Sequence, residues 1–436
     1  MIAIRGRLAD LSVAERSLLL DRRPANDADV REKVTRILLQ VRSRGDDALR
    51  DMAKRFDGVE LATLEVPRAR WDAALEKLDP KLRAALERAI RNLTAFHEAQ
   101  VPKELKVEVE PGVRLGRRFG PLGAVGVYAP GGRASYPSSV LMGVVPARVA
   151  GVGEIVLCSP PGPDGAPPAA VLAAAALAGA TRVFALGGAG AVAALACGTA
   201  SVPRCDAVVG PGNRWVLEAK RQVAGEVRID SPAGPSELLV IADGGADAEL
   251  IAAELIAQAE HDPDTAVLLI ATDAKLADGV AAALARQVAA SPRREVIAAA
   301  LEARGALLVA AKVDEAIAFA NLYAPEHLLV LTAKAAADGA KVRSAGTIFL
   351  GPGSSVAFGD YLTGANHVLP TGGSGRSFSG LSVLDFLRSW TYQDVTPAAA
   401  QALAEDTGRL ADAEGLPGHA AAARLRGKKS GTTKAK

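Results

Sequence analysis

The chain has 436 residues, with hydrophobic residues at 49%, charged residues at 23% and a formal net charge of +2. That length predicts two or three domains with ample core, and that balance excludes disorder on a large scale. A charge so near zero gives no ground for nucleic acid or a membrane surface as partner.

In chain order, the opening MIAIRGRLADLSVAERS lacks the apolar core of a signal peptide. The most apolar run, Ala169–Ala180, is too short and too rich in alanine to span a bilayer. Both point to a cytoplasmic protein. From about Asp27 to Ala99 apolar positions recur at helical spacing, as in Val34, Ile37, Leu38 and Val41, with charges on the other face. From Gly120 onward short apolar strands alternate with alanine-rich helices. The strand segments are LGAVGVY before Pro130, EIVLC (Glu154–Cys158), RVFAL (Arg182–Leu186) and DAVVG (Asp206–Gly210). After Glu237 come LLVIAD (Leu238–Asp243), AVLLIA (Ala266–Ala271), ALLVAA (Ala306–Ala311), HLLVL (His327–Leu331) and TIFLG (Thr347–Gly351). This alternation predicts an α/β fold with two Rossmann-like parallel sheets, helices on both faces. After about Gly380 no strand is expected: SVLDFLRSW, Val395–Ala411 and Gly415–Arg426 read as helices too few for a core of their own. The basic end, Arg424–Lys436, reads as a frayed solvated tail.

Three cysteines, Cys158, Cys197 and Cys205, match neither a disulfide framework nor a zinc ribbon and read as small apolar core residues. Three strand-to-helix turns are glycine-rich: Gly131-Gly132, Gly187-Gly188-Ala189-Gly190 and Gly210-Pro211-Gly212-Asn213. Glycine there lets a backbone approach a phosphate, and the following helix N-terminus favours negative charge. None fits G-x-G-x-x-G, and each alone reads equally as a plain tight turn. Three on successive strands point to a ligand at that sheet's C-terminal edge.

Of five histidines, His97 lies in a charged helix and reads as a surface residue. Gln258 and His261 share the last turn of a helix that Pro263 stops, so both can reach one cation. Read alone, they are more simply a satisfied surface pair. Glu326 beside His327, after Pro325, offers a general base and an activator of water. A glycine-flanked loop, Gly359–His367, presents Asp360 as an oxygen ligand, and Glu414 and His419 flank a further Gly-Pro turn. Zinc suits such mixed imidazole and oxygen donors. With no HExxH and no paired Cys-x-x-Cys, a standard zinc hydrolase is not indicated.

At these residues the chain resembles the histidinol dehydrogenase family, over most of its length to about Arg426. The resemblance rests on VYAPGGRASYPSSVLM (Val127–Met142), GPGNRWVLEAKRQV (Gly210–Val223), IDSPAGPSELLVIAD (Ile229–Asp243), QAEHDPDT (Gln258–Thr265), APEHL (Ala324–Leu328), GDYLTGANHVLPT (Gly359–Thr371) and EGLPGH (Glu414–His419), in that order. It implies oxidation of L-histidinol through L-histidinal to L-histidine with two NAD+, the last step of histidine biosynthesis. It implies zinc on Gln258, His261, Asp360 and His419, and substrate contacts at Ser236, Glu414 and these ligands together with His327. His327 is implied as the base and Glu326 as the activator of water, with Tyr128 and Asn213 touching NAD. It also implies an intertwined homodimer in which the C-terminal helices reach the neighbour, so that Glu414 and His419 complete the partner's site.

The expected division is an N-terminal extension 1–26, a discontinuous α/β domain 27–127 plus 237–380 with the metal and catalytic residues, an NAD-side α/β domain 128–236, and a helical tail 381–436. Two positions depart from the family's pattern. Gly190 stands where a glutamine usually contacts NAD, which predicts weaker or rearranged cofactor binding, and Ser231 stands where methionine is common. A sister dehydrogenase of another small alcohol, such as a sulfonated diol, and a metal-dependent hydrolase stay open as alternatives. Glu414 favours histidinol, since a carboxylate suits a cationic amine, and the glycine turns count against the hydrolase. A catalytically silent scaffold is disfavoured, since every expected metal and acid–base position is filled.

Overall fold

The computed structural model describes every residue except Met1, 23–26, 132–134, 233 and 428–436. Gly132 and the lysines from Lys428 onward thus lie outside the described residues. The chain divides into two compact units, Met1–Gln100 with Leu122–Phe386, and Val101–Pro121 with Leu387–Lys436.

The strands are β1 (Ile4–Arg7), β2 (Leu105–Glu110), β3 (Val113–Pro121), β4 (Ala124–Tyr128), β5 (Glu154–Ser159), β6 (Arg182–Ala185), β7 (Ala207–Val209), β8 (Arg228–Ile229), β9 (Glu237–Ala242), β10 (Ala266–Ala271), β11 (Ala306–Val309), β12 (His327–Leu331), β13 (Thr347–Leu350) and β14 (Leu387–Val395). The first unit holds two sheets whose strands pair in parallel, one ordered β6-β5-β4-β7-β8 and the other β1-β11-β10-β9-β12-β13. Counted within each sheet, both repeat the order third, second, first, fourth, fifth; β1 adds an edge to the second. Strands covered on both faces are continuous apolar runs, and Leu238–Ala242 are fully buried. The two expected α/β sheets are therefore present.

The helices of the N-terminal third follow their periodicity. Asp27 caps Ala28–Arg44 through Val30 N–H at 3.1 Å, Val30, Val34, Leu38 and Val41 are buried along one face, and Gly45 ends the helix. That face joins the core of the five-stranded sheet, as do Leu86, Ala89 and Leu93 of the helix Pro80–Glu98. The expected grouping of 27–127 with 237–380 does not hold for these helices. An apolar stripe announces that a face is buried but not which sheet it meets. Similarly, part of the expected N-terminal extension is integral: β1 pairs with β11, and Ile4, Leu8 and Leu19 enter the core of the six-stranded sheet. His97, expected on the surface, is 1% exposed, and neither ring nitrogen has a partner among the described residues. Burial pushes its imidazole down to about 4.

In the second unit β14, β3 and β2 form an antiparallel sheet, and the helices Pro397–Ala413 and Pro417–Gly427 pack on each other. The strands do not stop at Gly380 as expected. Only Val383–Phe386 of SVLDFLRSW turns helically, and Leu387–Val395 runs along β3 for its whole length. The reason lies across the pair. A Cβ on Gly116 would meet the Tyr392 ring, and one on Gly120 would stand 3.0 Å from Trp390, so bare glycine positions accept the aromatics of an alternating strand. No helix among the described residues is long and apolar enough to cross a membrane.

Candidate active site

In an open parallel sheet, ligands gather where strand order reverses, outside the carboxyl ends of the first and fourth strands. For the five-stranded sheet these are β4 and β7. Tyr128 ends β4, and Gly210-Pro211-Gly212-Asn213 follows β7. A Cβ on Gly210, at φ +118°, would run into the Tyr128 carbonyl oxygen at 2.1 Å, so only glycine lets the two turns lie together. The Gly210 peptide is held on both sides. Its N–H donates to Asp230 at 2.8 Å, and its carbonyl accepts from Lys220 at 3.0 Å, while the Lys220 and Asp230 side chains form a buried ion pair.

Asn213 caps the helix Arg214–Val223, its side-chain oxygen accepting from Trp215 and Val216 N–H, which leaves the amide N–H group for a ligand. Tyr128 is buried, its hydroxyl accepting from Gly188 N–H at 3.2 Å, and burial pushes it up to about 12. Tyr128, Gly131, Gly187, Gly188, Gly190 and Asn213 share one cavity of about 870 Å³ with the helices of Ala28–Asp57. The three glycine turns thus meet at one edge, as expected. Ser231 is buried with its hydroxyl unpartnered among the described residues, and nothing in the structure explains its choice.

For the six-stranded sheet the reversal falls between β9 and β12, and the acid–base residues lie at their amino ends. The register pairs His327 with Leu238, which sets Glu326 beside Glu237. Glu326 accepts from Glu237 N–H at 2.7 Å, and His327 Nδ1 lies 3.1 Å from the Glu237 carbonyl. A carbonyl only accepts, so Nδ1 carries a proton and Nε2 is the atom turned toward Asp360. Nε2 is buried 3.5 Å from Asp360 Oδ1, and the ring stacks on Phe349. Burial alone would push His327 down; the charge of Glu326 and hydrogen bonds with Asp360 and Glu326 outweigh it and raise His327 to about 10.

Asp360 comes from the short helix Val356–Tyr361, tied to Ala248–Ala259 by Val356 N–H donating to Glu254 at 3.1 Å. Burial raises its carboxyl, but the hydrogen bond with His327 and the charges of His327, His367 and His261 hold it below the usual range. His367 Nδ1 contacts the Asp360 carbonyl at 2.9 Å. Gln258 and His261 end the helix Ala248–Ala259. Gln258 is buried with its side-chain oxygen unpartnered among the described residues, while His261 is exposed, so the expectation of a satisfied surface pair fails at Gln258. His261 Nδ1 faces the Gln258 carbonyl at 3.1 Å, which leaves Nε2 as its free donor atom.

Among the described residues no three His, Cys, Asp or Glu side chains are close enough to hold a metal ion alone. The orphaned Gln258 oxygen, the His261 nitrogen and the Asp360 carboxylate nevertheless suit a borderline cation such as zinc, which takes four ligands. A helix C-terminus favours positive charge at the same place.

Ser236, one residue before β9, is half-buried and lines a separate cavity of about 340 Å³ with Arg22, Glu237, Thr371 and Gly372. Glu414 and His419 belong to the second unit; both are exposed, and their side chains have no polar partner among the described residues. Sequence reasoning missed Glu237, Arg22, Lys220 and Asp230, the buried charges beneath the two turns. Glu237 was visible only as a carboxylate opening an otherwise apolar strand, a poor place for a charge without a partner.

A family model described as histidinol dehydrogenase matches residues 20–427. The histidinol dehydrogenase of Natronomonas pharaonis is 50% identical over 414 residues, covering 95% of this chain and 97% of the relative. That of Methanosarcina barkeri is 44% identical over 421 residues, covering 96% and 97%. The crystal structure of histidinol dehydrogenase from Elizabethkingia anophelis matches with a TM-score of 0.93 at 34% identity, covering 98% of each chain. Sequence and structure agree over nearly the whole chain, which belongs to the histidinol dehydrogenase family.

Proposed function

We propose that this chain oxidises L-histidinol through L-histidinal to L-histidine, with NAD as hydride acceptor and zinc as the resident metal. As a histidinol dehydrogenase it is an NAD-linked, metal-dependent oxidoreductase of histidine biosynthesis. The observation that carries the residue assignments is the tautomer of His327. With Nδ1 donating to the Glu237 carbonyl, Nε2 is the ring atom directed to the side where Asp360 stands.

When bound, zinc supplies a fixed anchor and a positive charge for the substrate's imidazole and amine. Gln258, His261 and Asp360 would hold it. Asp360 faces His327 Nε2, the atom at which His327 would act as base. His327 takes the proton lost with each hydride. Glu326, fixed by Glu237 N–H, activates the water that hydrates the aldehyde, so the second oxidation uses the same base. Tyr128 and Asn213 touch NAD at the other sheet's carboxyl edge, and Ser236 contacts substrate.

A second copy of the chain supplies His419 as the fourth ligand and Glu414 as the partner of the substrate amine. Three features support this reading: a donor set one short of four, exposed side chains at Glu414 and His419, and an exposed apolar row on β2, Leu105, Val107 and Val109.

The test is reduced-nicotinamide absorbance with histidinol and NAD+, before and after chelation. Two NADH per histidinol, abolished by chelation and restored by zinc, is expected. Turnover of another alcohol but not histidinol, or hydrolysis without NADH, would overturn the assignment.

A further inference from the structure

We propose that Arg22 and Glu237 are a buried positioning pair that braces the turn Tyr323–Glu326 and thereby sets Glu326 and His327 for proton transfer. The inference rests on reading those two residues as the reacting pair.

The Arg22 guanidinium forms an ion pair with the Glu237 carboxylate, their side chains being 2% and 4% exposed. It also donates to the Tyr323 carbonyl and lies over the Tyr323 ring, 3.3 Å from its centroid. The Glu237 carboxylate accepts from Glu326 N–H at 3.4 Å and from Gly372 N–H at 2.8 Å. One bonded pair therefore grips the turn at both ends, by the carbonyl of Tyr323 and the amide of Glu326.

Between those ends sits Ala324, at φ +50° the one non-glycine residue in the left-handed region among the described residues. Such a conformation persists only where its surroundings over-determine it. The backbone of Glu237 in turn holds Glu326 through its N–H and His327 through its carbonyl. A shift of Glu237 therefore moves both reacting groups, and the loss of Arg22 leaves an uncompensated buried carboxylate against Glu326.

Stability alone does not account for the pair. Two charges buried together are often no better for stability than apolar residues of the same volume. Its place, directly behind the turn that delivers Glu326 and His327, gives it a task that an apolar pair does not perform. The segment preceding Ala28 thus contributes to the active site through a residue that acts by way of Glu237.

The test uses full-length Arg22→Met, Arg22→Lys and the double variant Arg22→Met/Glu237→Gln, with His327→Ala as reference. Displacement of reacting groups by about 1 Å lowers turnover on the order of 100-fold. Arg22→Met is therefore expected to lose about that much in kcat, with KM for histidinol and for NAD, and zinc content by metal analysis, close to the parent's. Arg22→Lys is expected to recover part of the loss. The double variant, which leaves no unpaired charge, is expected to recover about 10-fold of it.

A folded Arg22→Met protein with the parent's kcat, or one whose loss lies in KM or in zinc, overturns the proposal. If Arg22→Met does not fold, the double variant decides: a roughly 10-fold lower kcat than the parent supports the proposal, and an unchanged kcat overturns it. His327→Ala keeps the two ideas apart. If that variant stays active, the reading of the reacting pair has failed instead.

Discussion

At the reversal point of the five-stranded sheet, Tyr128 and the Gly210 turn stand outside the carboxyl ends of β4 and β7; at the same point of the six-stranded sheet, Glu326 and His327 stand at the amino ends of β9 and β12. One topology is used twice, from opposite edges. Carboxyl ends lead into helix N-termini, whose free N–H groups favour an anion such as a pyrophosphate. Amino ends are preceded by helix C-termini, which favour a cation. Gln258 and His261, at the end of Ala248–Ala259, occupy such a place. The carboxyl ends of β9 and β12 are tied to each other instead. There Asp243 accepts from Gly245 N–H at 3.1 Å and Ala333 N–H at 2.6 Å. In both sheets a buried ion pair lies beneath the working turn, Lys220 with Asp230 and Arg22 with Glu237.

The largest effect that tests this contrast is at the amino edge. His327→Ala removes the base, and general-base catalysis contributes about 100- to 10,000-fold. A kcat loss in that range is expected, with zinc content and KM for NAD unchanged. Loss of zinc instead would mean that His327 is a ligand. Next is the origin of the missing ligand. Mixing inactive His419→Ala with inactive His327→Ala subunits leaves one intact site per heterodimer when His419 acts across the interface. About a quarter of parental activity is then expected for random pairing of equal amounts, the heterodimers being half of the population with one site of two intact. Verified heterodimers without activity would exclude the crossed arrangement.

A smaller effect comes from His97. Its imidazole is neutral in the fold down to about pH 4. The unfolded chain takes up that proton near pH 6.5, so the unfolded state binds more protons between those values. Stability contributed at neutral pH is then lost as pH falls from about 6.5 to about 4, with no further loss from this group below that. The loss is on the order of 2 kcal/mol. Denaturant unfolding at pH 7 and pH 4.5 is expected to show His97→Leu losing less than the parent by that amount. Equal losses would show that the ring does not stay neutral in the fold.

The two sheets differed in how plainly the sequence announced them. AVLLIA and HLLVL coincide with β10 and β12 because an apolar run buried on both faces needs no partner to define it. Leu387–Trp390 reads as helix from its own sequence although it opens β14, because its strand character depends on Gly116 and Gly120, some 270 residues earlier in the chain. The candidate site followed the same rule. Glu326, His327, Gln258, His261 and Asp360 stood out because polar side chains in Gly- and Pro-flanked segments are conspicuous. Arg22 and Glu237 did not, because nothing local marks an arginine at residue 22 as the partner of a strand that begins at residue 237. His97 was misplaced for a related reason: charged neighbours on a helix say nothing about the one face that is buried.

The smallest effect belongs to Gly190 at the carboxyl edge. It sits in the first turn of the helix Gly188–Cys197 and lines the large cavity. A Cβ there would stand 3.0 Å from Met52 Sδ and 3.6 Å from Leu49 Cδ2. The missing side chain thus lets the helix Asp46–Met52 close on this turn, and Met52 fills part of the space that a longer residue needs. Gly190→Gln gains about 0.5 kcal/mol of helix propensity, which the displacement of a flexible methionine offsets. Alone it is expected to leave KM for NAD within about two-fold of the parent. Combined with Met52→Ala, which opens the space, it is expected to lower that KM about three-fold, a gain within the range of one added hydrogen bond. If the single substitution already gives the full gain, Met52 does not restrict the wall, and the contact at this edge depends on residue 190 alone.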